Sequence, residues 1–79
     1  MTFLRNDRIR HKKSCKDYMV LLTPQHGLRI EATNEPAYAY QAMWSGRDPI
    51  VWVRSQEQME DGRFEIVMHS LAGAEGRLP

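Results

Sequence analysis

The sequence predicts a mainly β domain: a small barrel of about five short antiparallel strands, with one short helical turn before the last strand. Three observations lead there. Turn signals recur about every ten residues between short apolar runs, the spacing of a small sandwich or barrel. No segment sustains a helical period. The run "IVWVR" (50–54) is β-branched and aromatic almost throughout, which suits a pleated strand.

Each element follows from its residues. The first few residues read as irregular. "DRIRHKK" alternates weakly about Ile9 and reads as a strand with a charged outer face, and "SCKD" is the turn after it. "YMVLL" is apolar on both sides: Tyr18, Val20 and Leu22 point one way, Met19 and Leu21 the other, as in a central strand. "TPQHG" breaks the chain, because Pro24 cannot donate to a ladder and Gly27 relaxes the backbone. "LRIEAT" alternates, with Leu28, Ile30 and Ala32 inward, and "NEP" is a loop. "AYAYQAM" sets Tyr38, Tyr40 and Ala42 against Ala37, Ala39 and Met43. "SGRDP" is a turn, and "IVWVR" follows with Trp52 assigned to the core. "RFEIVM" closes the domain with Phe64, Ile66 and Met68 on one face. Tyr18, Tyr40 and Phe64 join Trp52 in the expected core. Residues 1–68 form one domain and residues 69–79 a flexible tail.

The link "SQEQMEDG" has two readings. Ser55 with Gln58 three residues on is a capping-box pattern, Gln56–Met59 are good helix formers, and Glu57 suits a helix N-terminus. Gly62 then supplies the left-handed residue that closes the turn. A hairpin with Asp61-Gly62 at its tip is the rival. The segment lacks alternation and β-branching, which favours the helical turn, with Met59 plugging the end of the barrel.

Bulk properties exclude several classes. Seventy-nine residues make one small core, burying about 60% of the unfolded surface, and leave little room for a deep substrate pocket. A lone Cys15 fits a reducing compartment. No run approaches the ~20 apolar residues of a membrane span, so a cytoplasmic protein is expected. The net charge of +1 offers no global field to nucleic acid.

A strand–turn–strand–short helix–strand ending is how SH3-like barrels finish. Beyond that architecture, "RHKKSCKDYMVL" (10–21), "AYQAM" (39–43) and "VWVRSQEQMEDGRFE" (51–65) resemble a family of short uncharacterised bacterial and phage-borne proteins, a domain of unknown function with an SH3-like look. The resemblance covers about Arg8 to Ile66. Ser55 stands where that family usually has proline, and "SC" replaces the glycine of its "HKKG". The resemblance implies a phage or prophage accessory protein and carries no catalytic activity with it.

Charge is unevenly distributed. Arg8, Arg10, Lys12, Lys13 and Lys16 crowd the start, with Arg8, Arg10 and Lys12 on one strand face. This stripe is the nucleic-acid candidate, although a solvated, charged edge that protects a strand from pairing is the favoured reading. Glu57, Glu60, Asp61 and Glu65 crowd the end, with Glu65 expected to face Arg8 or Arg10. Trp44 and Arg47 are residue types that anchor protein interfaces. Trp44, Arg47, Glu57, Glu60 and Asp61 are therefore the protein-contact candidates. His11, His26 and His69 lack metal-ligand spacing with Cys15 or a carboxylate, and no base accompanies Cys15 as a nucleophile. The expectation is a non-catalytic interaction module without cofactor, a monomer or weak homodimer; the resemblance implies as its partner a larger host protein complex, such as a defence system. Direct nucleic-acid binding is the alternative.

Overall fold

A computed structural model describes residues 2–43 and 50–69. Trp44, Arg47 and the expected tail beyond His69 lie outside the described residues. Five strands form one antiparallel sheet: β1 (Arg8–His11), β2 (Lys16–Leu22), β3 (Ala37–Ala42), β4 (Val51–Ser55) and β5 (Phe64–Met68), in the order β4-β3-β2-β1-β5. A single helical turn, α1 (Gln56–Met59), links the two edge strands. The mainly β prediction and the helical turn before the last strand hold. The expected pairing of first and last strands is also present, with Arg10 opposite Glu65.

No ladder joins β4 to β5 among the described residues, so the hydrogen-bonded sheet is open. It is nevertheless strongly curled. Phe64 on β5 and Tyr40 on β3 lie three strand steps apart. In a flat sheet that separation would be roughly 14 Å. Their ring centroids are 5.6 Å apart, and the Arg54 guanidinium of β4 lies 5.8 Å from the Phe64 ring centre. Side chains thus bring the two edges together across the concave face. Two register shifts help, one between Val20 and Leu22 and one at Arg8/Ile9, since a bulge increases local twist.

Those shifts also correct two facing assignments. Leu21 is the extra residue between Val20 and Leu22, so Leu22 leaves the face shared by Tyr18 and Val20 and pairs with Ala39. Val67 is passed over in the same way, and Met68 is exposed beside Arg8 instead of sharing the face of Phe64 and Ile66. The doubly buried strand is β3, where Ala37, Tyr38, Ala39 and Tyr40 are all buried, and not "YMVLL".

The core comprises Phe3, Ile9, Val20, Tyr38, Tyr40, Met59 and Phe64. Met59 is fully buried, as its plugging role requires. Ser55 caps α1 by accepting a hydrogen bond from the Gln58 amide at 3.3 Å. The helix ends at Glu60, and Gly62 takes the left-handed conformation (φ 102°) two residues on. The β1–β2 turn holds Cys15 at φ 58°, a conformation that glycine adopts without a Cβ clash.

"LRIEAT" is not a strand. Asn34 adopts a left-handed conformation (φ 61°) and turns the chain back on itself. Ile30 then donates to Glu35 O at 2.9 Å and Ala37 to Leu28 O at 3.0 Å. Only the isolated bridge Arg29–Pro36 forms, and Ala32 is exposed. The turn falls inside the segment, with Asn34 donating to Ile30 O at 2.7 Å, so too few residues stay extended to make a strand. The N-terminal residues, by contrast, are fixed. Phe3 packs edge-on against Tyr38, and its amide donates to the Tyr38 hydroxyl at 3.2 Å.

Candidate functional site

The acidic candidates do not form one surface. The Tyr38 hydroxyl donates to Glu60 Oε2, which also accepts from Gln56 Nε2 at 3.1 Å. Glu60 thereby ties α1 to the core. Burial and this contact push the Tyr38 phenol well above its usual range. Asp61 is gripped by Arg63, with Nη2 to Oδ2 at 2.7 Å, and the contact holds its carboxyl below the usual carboxylate range. Glu57 is exposed and shares a shallow hollow of about 380 Å³ with Glu35 and Glu60. Glu65 lies opposite Arg10 on β1. Of the acidic contact candidates, Glu60 and Asp61 thus have structural partners, and Glu57 is left.

The basic stripe divides as well. Arg10 donates through Nε to Asp17 Oδ1 at 2.7 Å and through Nη2 to Oδ2 at 3.3 Å. With Asp17 on one side and Glu65 on the other, its charge is locally balanced. Lys12 lies beyond the end of β1, so it does not continue the face of Arg8 and Arg10. Arg8 and Lys16 line a hollow of about 590 Å³ with Cys15, Asp17 and Met43. Lys12 and Lys13 line another, of about 510 Å³, with Arg54 and Arg63. Sequence reading missed these last two arginines because they join the lysines only through the β1–β5 pairing and the curl of the sheet.

The Arg10 hydrogen bond holds the Asp17 carboxyl below its usual range. A depressed folded-state pKa adds stability above the unfolded aspartate value, about 3.9, and that stability is lost as pH falls through the folded value. Titration of the Asp17 carboxyl by NMR is expected to show a midpoint below that of a free aspartate. In Arg10→Gln the midpoint should return towards it. An unchanged midpoint would refute the coupling.

The histidines brace turns. His11 Nδ1 lies 3.0 Å from Ser14 Oγ, and His26 Nδ1 accepts from the Thr23 amide at 3.1 Å. His69 Nδ1 is 3.8 Å from the buried Asp7 carboxylate.

The feature least expected from sequence is β4. Ile50, Val51, Trp52 and Val53 each leave 46–54% of their surface exposed, so Trp52 is not a core residue. As an edge strand, β4 has a neighbouring strand on one side only among the described residues. Its free side can be read from the ladder. Ala42 donates to Ile50 O at 3.0 Å, and Trp52 and Arg54 continue that register opposite Tyr40 and Tyr38. Antiparallel pairs alternate between bonded and non-bonded positions, so the N–H and C=O groups of Val51 and Val53 point outward. A row of outward peptide groups flanked by exposed apolar side chains is an open template for another strand.

No family model, curated protein or solved structure matches the chain. Among the described residues, no helix is long and apolar enough to cross a membrane.

Proposed function

We propose that the chain is a non-catalytic protein-interaction module that offers the β4 edge to an extended segment of a larger protein. The observation that carries this reading is the outward row of Val51 and Val53 peptide groups within a strand whose apolar side chains are half exposed. Strand addition suits such an edge, because main-chain hydrogen bonds give affinity and flanking side chains give selectivity. The sequence-predicted anchors Trp44 and Arg47 immediately precede this strand in the chain. The resemblance to phage-borne proteins supports an accessory protein acting in the host cytoplasm on a larger complex, such as a defence system. Glu57, exposed on the α1 link that follows β4, is the acidic candidate retained for that contact.

The test is capture from host lysate with three forms of the protein. Wild type is expected to retain a specific partner. Val53→Pro removes one outward N–H, and Val51→Lys/Val53→Lys places charges on the open edge. Both should reduce the captured partner roughly tenfold, equivalent to about 1.4 kcal/mol. The altered positions are exposed, so circular dichroism should show a retained fold. Undiminished capture by both folded variants would refute the β4 assignment.

A further inference from the structure

We propose that the hollow between the β1–β2 turn and the α1–β5 link binds the phosphates of single-stranded nucleic acid. Lys12 and Lys13 enter it from the turn, Arg54 from β4 and Arg63 from the link just before β5. The whole chain carries a net charge of only +1, so these four cations are a local concentration. The acid in direct contact with them is Asp61, which is hydrogen-bonded to Arg63 and also feels the charge of Arg54.

Arg54 is preorganised for this role. Its Nε donates to the Tyr40 hydroxyl at 3.1 Å, and its guanidinium lies over the Phe64 ring. These contacts fix the plane of the fork and leave its terminal amino groups as the part not engaged by them. A fixed guanidinium loses less freedom on gripping a phosphate than a mobile one.

Two further observations favour a strand of repeated phosphates over a single phosphate group. A second hollow containing Arg8 and Lys16 lies against the same β1–β2 hairpin. A third hollow shares Arg54 with the first and includes half-exposed Trp52, with Glu35 also in its lining. Cations beside a half-exposed indole are the parts that hold single strands, with phosphates on the cations and a base stacked on the ring. The stripe Arg8–Arg10–Lys12 expected from sequence is not this site, because Asp17 and Glu65 balance its centre.

Fluorescence anisotropy of a labelled oligothymidine of about 12 nucleotides, at roughly 20 mM salt, tests the proposal. Wild type should bind, with affinity falling steeply as salt rises. Lys12→Ala/Lys13→Ala, at exposed turn positions, should weaken binding roughly tenfold and flatten the salt slope. Trp52→Ala should weaken it roughly fivefold or more. Arg29→Gln removes a positive charge outside the three hollows and should stay within about twofold. Absence of wild-type binding, or equal losses in Arg29→Gln and the lysine variant, would overturn the proposal. So would tighter binding of duplex DNA, or of a phosphoserine peptide at equal phosphate concentration.

Discussion

Replacing Phe64 with alanine is expected to remove about 3–5 kcal/mol of stability. A domain of 79 residues has roughly 4–12 kcal/mol in total, so the variant should lie near the unfolding threshold. The effect is large because Phe64 joins its strand to β2, β3 and β4, with which β5 forms no ladder among the described residues. Its ring meets His11 of β1 at 5.1 Å, Tyr18 of β2 at 6.1 Å and Tyr40 of β3 at 5.6 Å, all edge-on, and Arg54 of β4 lies over it. The sheet is open between β4 and β5, so this ring substitutes for the missing ladder. Denaturant unfolding measures the loss, and Phe64→Leu, which keeps most of the volume, should recover much of it. Wild-type stability in Phe64→Ala would show that the curl of the sheet does not depend on the ring.

Tyr38 supplies the second large effect, and two variants separate its causes. Tyr38→Phe keeps the ring and removes the hydroxyl. The Phe3 amide then loses its acceptor in a buried site, and Glu60 loses a donor. A cost of about 1–3 kcal/mol is expected. Tyr38→Ala also removes a fully buried ring and its edge contact with Phe3, raising the cost to about 4 kcal/mol or more. Stability curves for both variants measure the difference. Amide exchange at Phe3 should accelerate in Tyr38→Phe, and unchanged exchange there would show that the hydroxyl does not hold the N-terminal segment.

Most strands were legible because their signals are local. The alternation around Ile9, the apolar run from Tyr18, the tyrosine pair at Tyr38 and Tyr40, and the β-branched residues beside Trp52 each mark a strand without knowledge of its neighbours. The Ser55 cap is similarly local. Most of what was misread depends on neighbours. "LRIEAT" is the exception: it has a strand's pattern, yet Asn34 turns the chain back on Ile30 and ends the extended run. Trp52 has a core residue's chemistry, yet its strand lies at an edge. Met68 and Leu22 fall on the wrong faces because each bulge adds one residue that no periodicity rule counts. Phe3 shows the reverse error: a lone aromatic in an irregular segment carries no pattern, and its burial follows from the hydroxyl of Tyr38, far away in sequence. The charges were hardest to read. Lysines at 12 and 13 and arginines at 54 and 63 become neighbours only once the sheet has formed, while the conspicuous run at the start is partly offset by Asp17 and Glu65.

The pairing of β1 with β5 also constrains how the chain acquires its structure. Ladders β1–β2, β2–β3 and β3–β4 each join strands consecutive in sequence, so they can form while later residues are still being synthesised. The ladder that sets Arg8 beside Met68 cannot form until almost all of the described chain has left the ribosome. Until then one side of β1 stays open, and the pocket for Phe64 stands empty. Of the four ladders it joins the residues furthest apart in sequence, the kind of contact that slows folding. The interval before β5 arrives is therefore when a nascent chain is most vulnerable to pairing with the wrong strand.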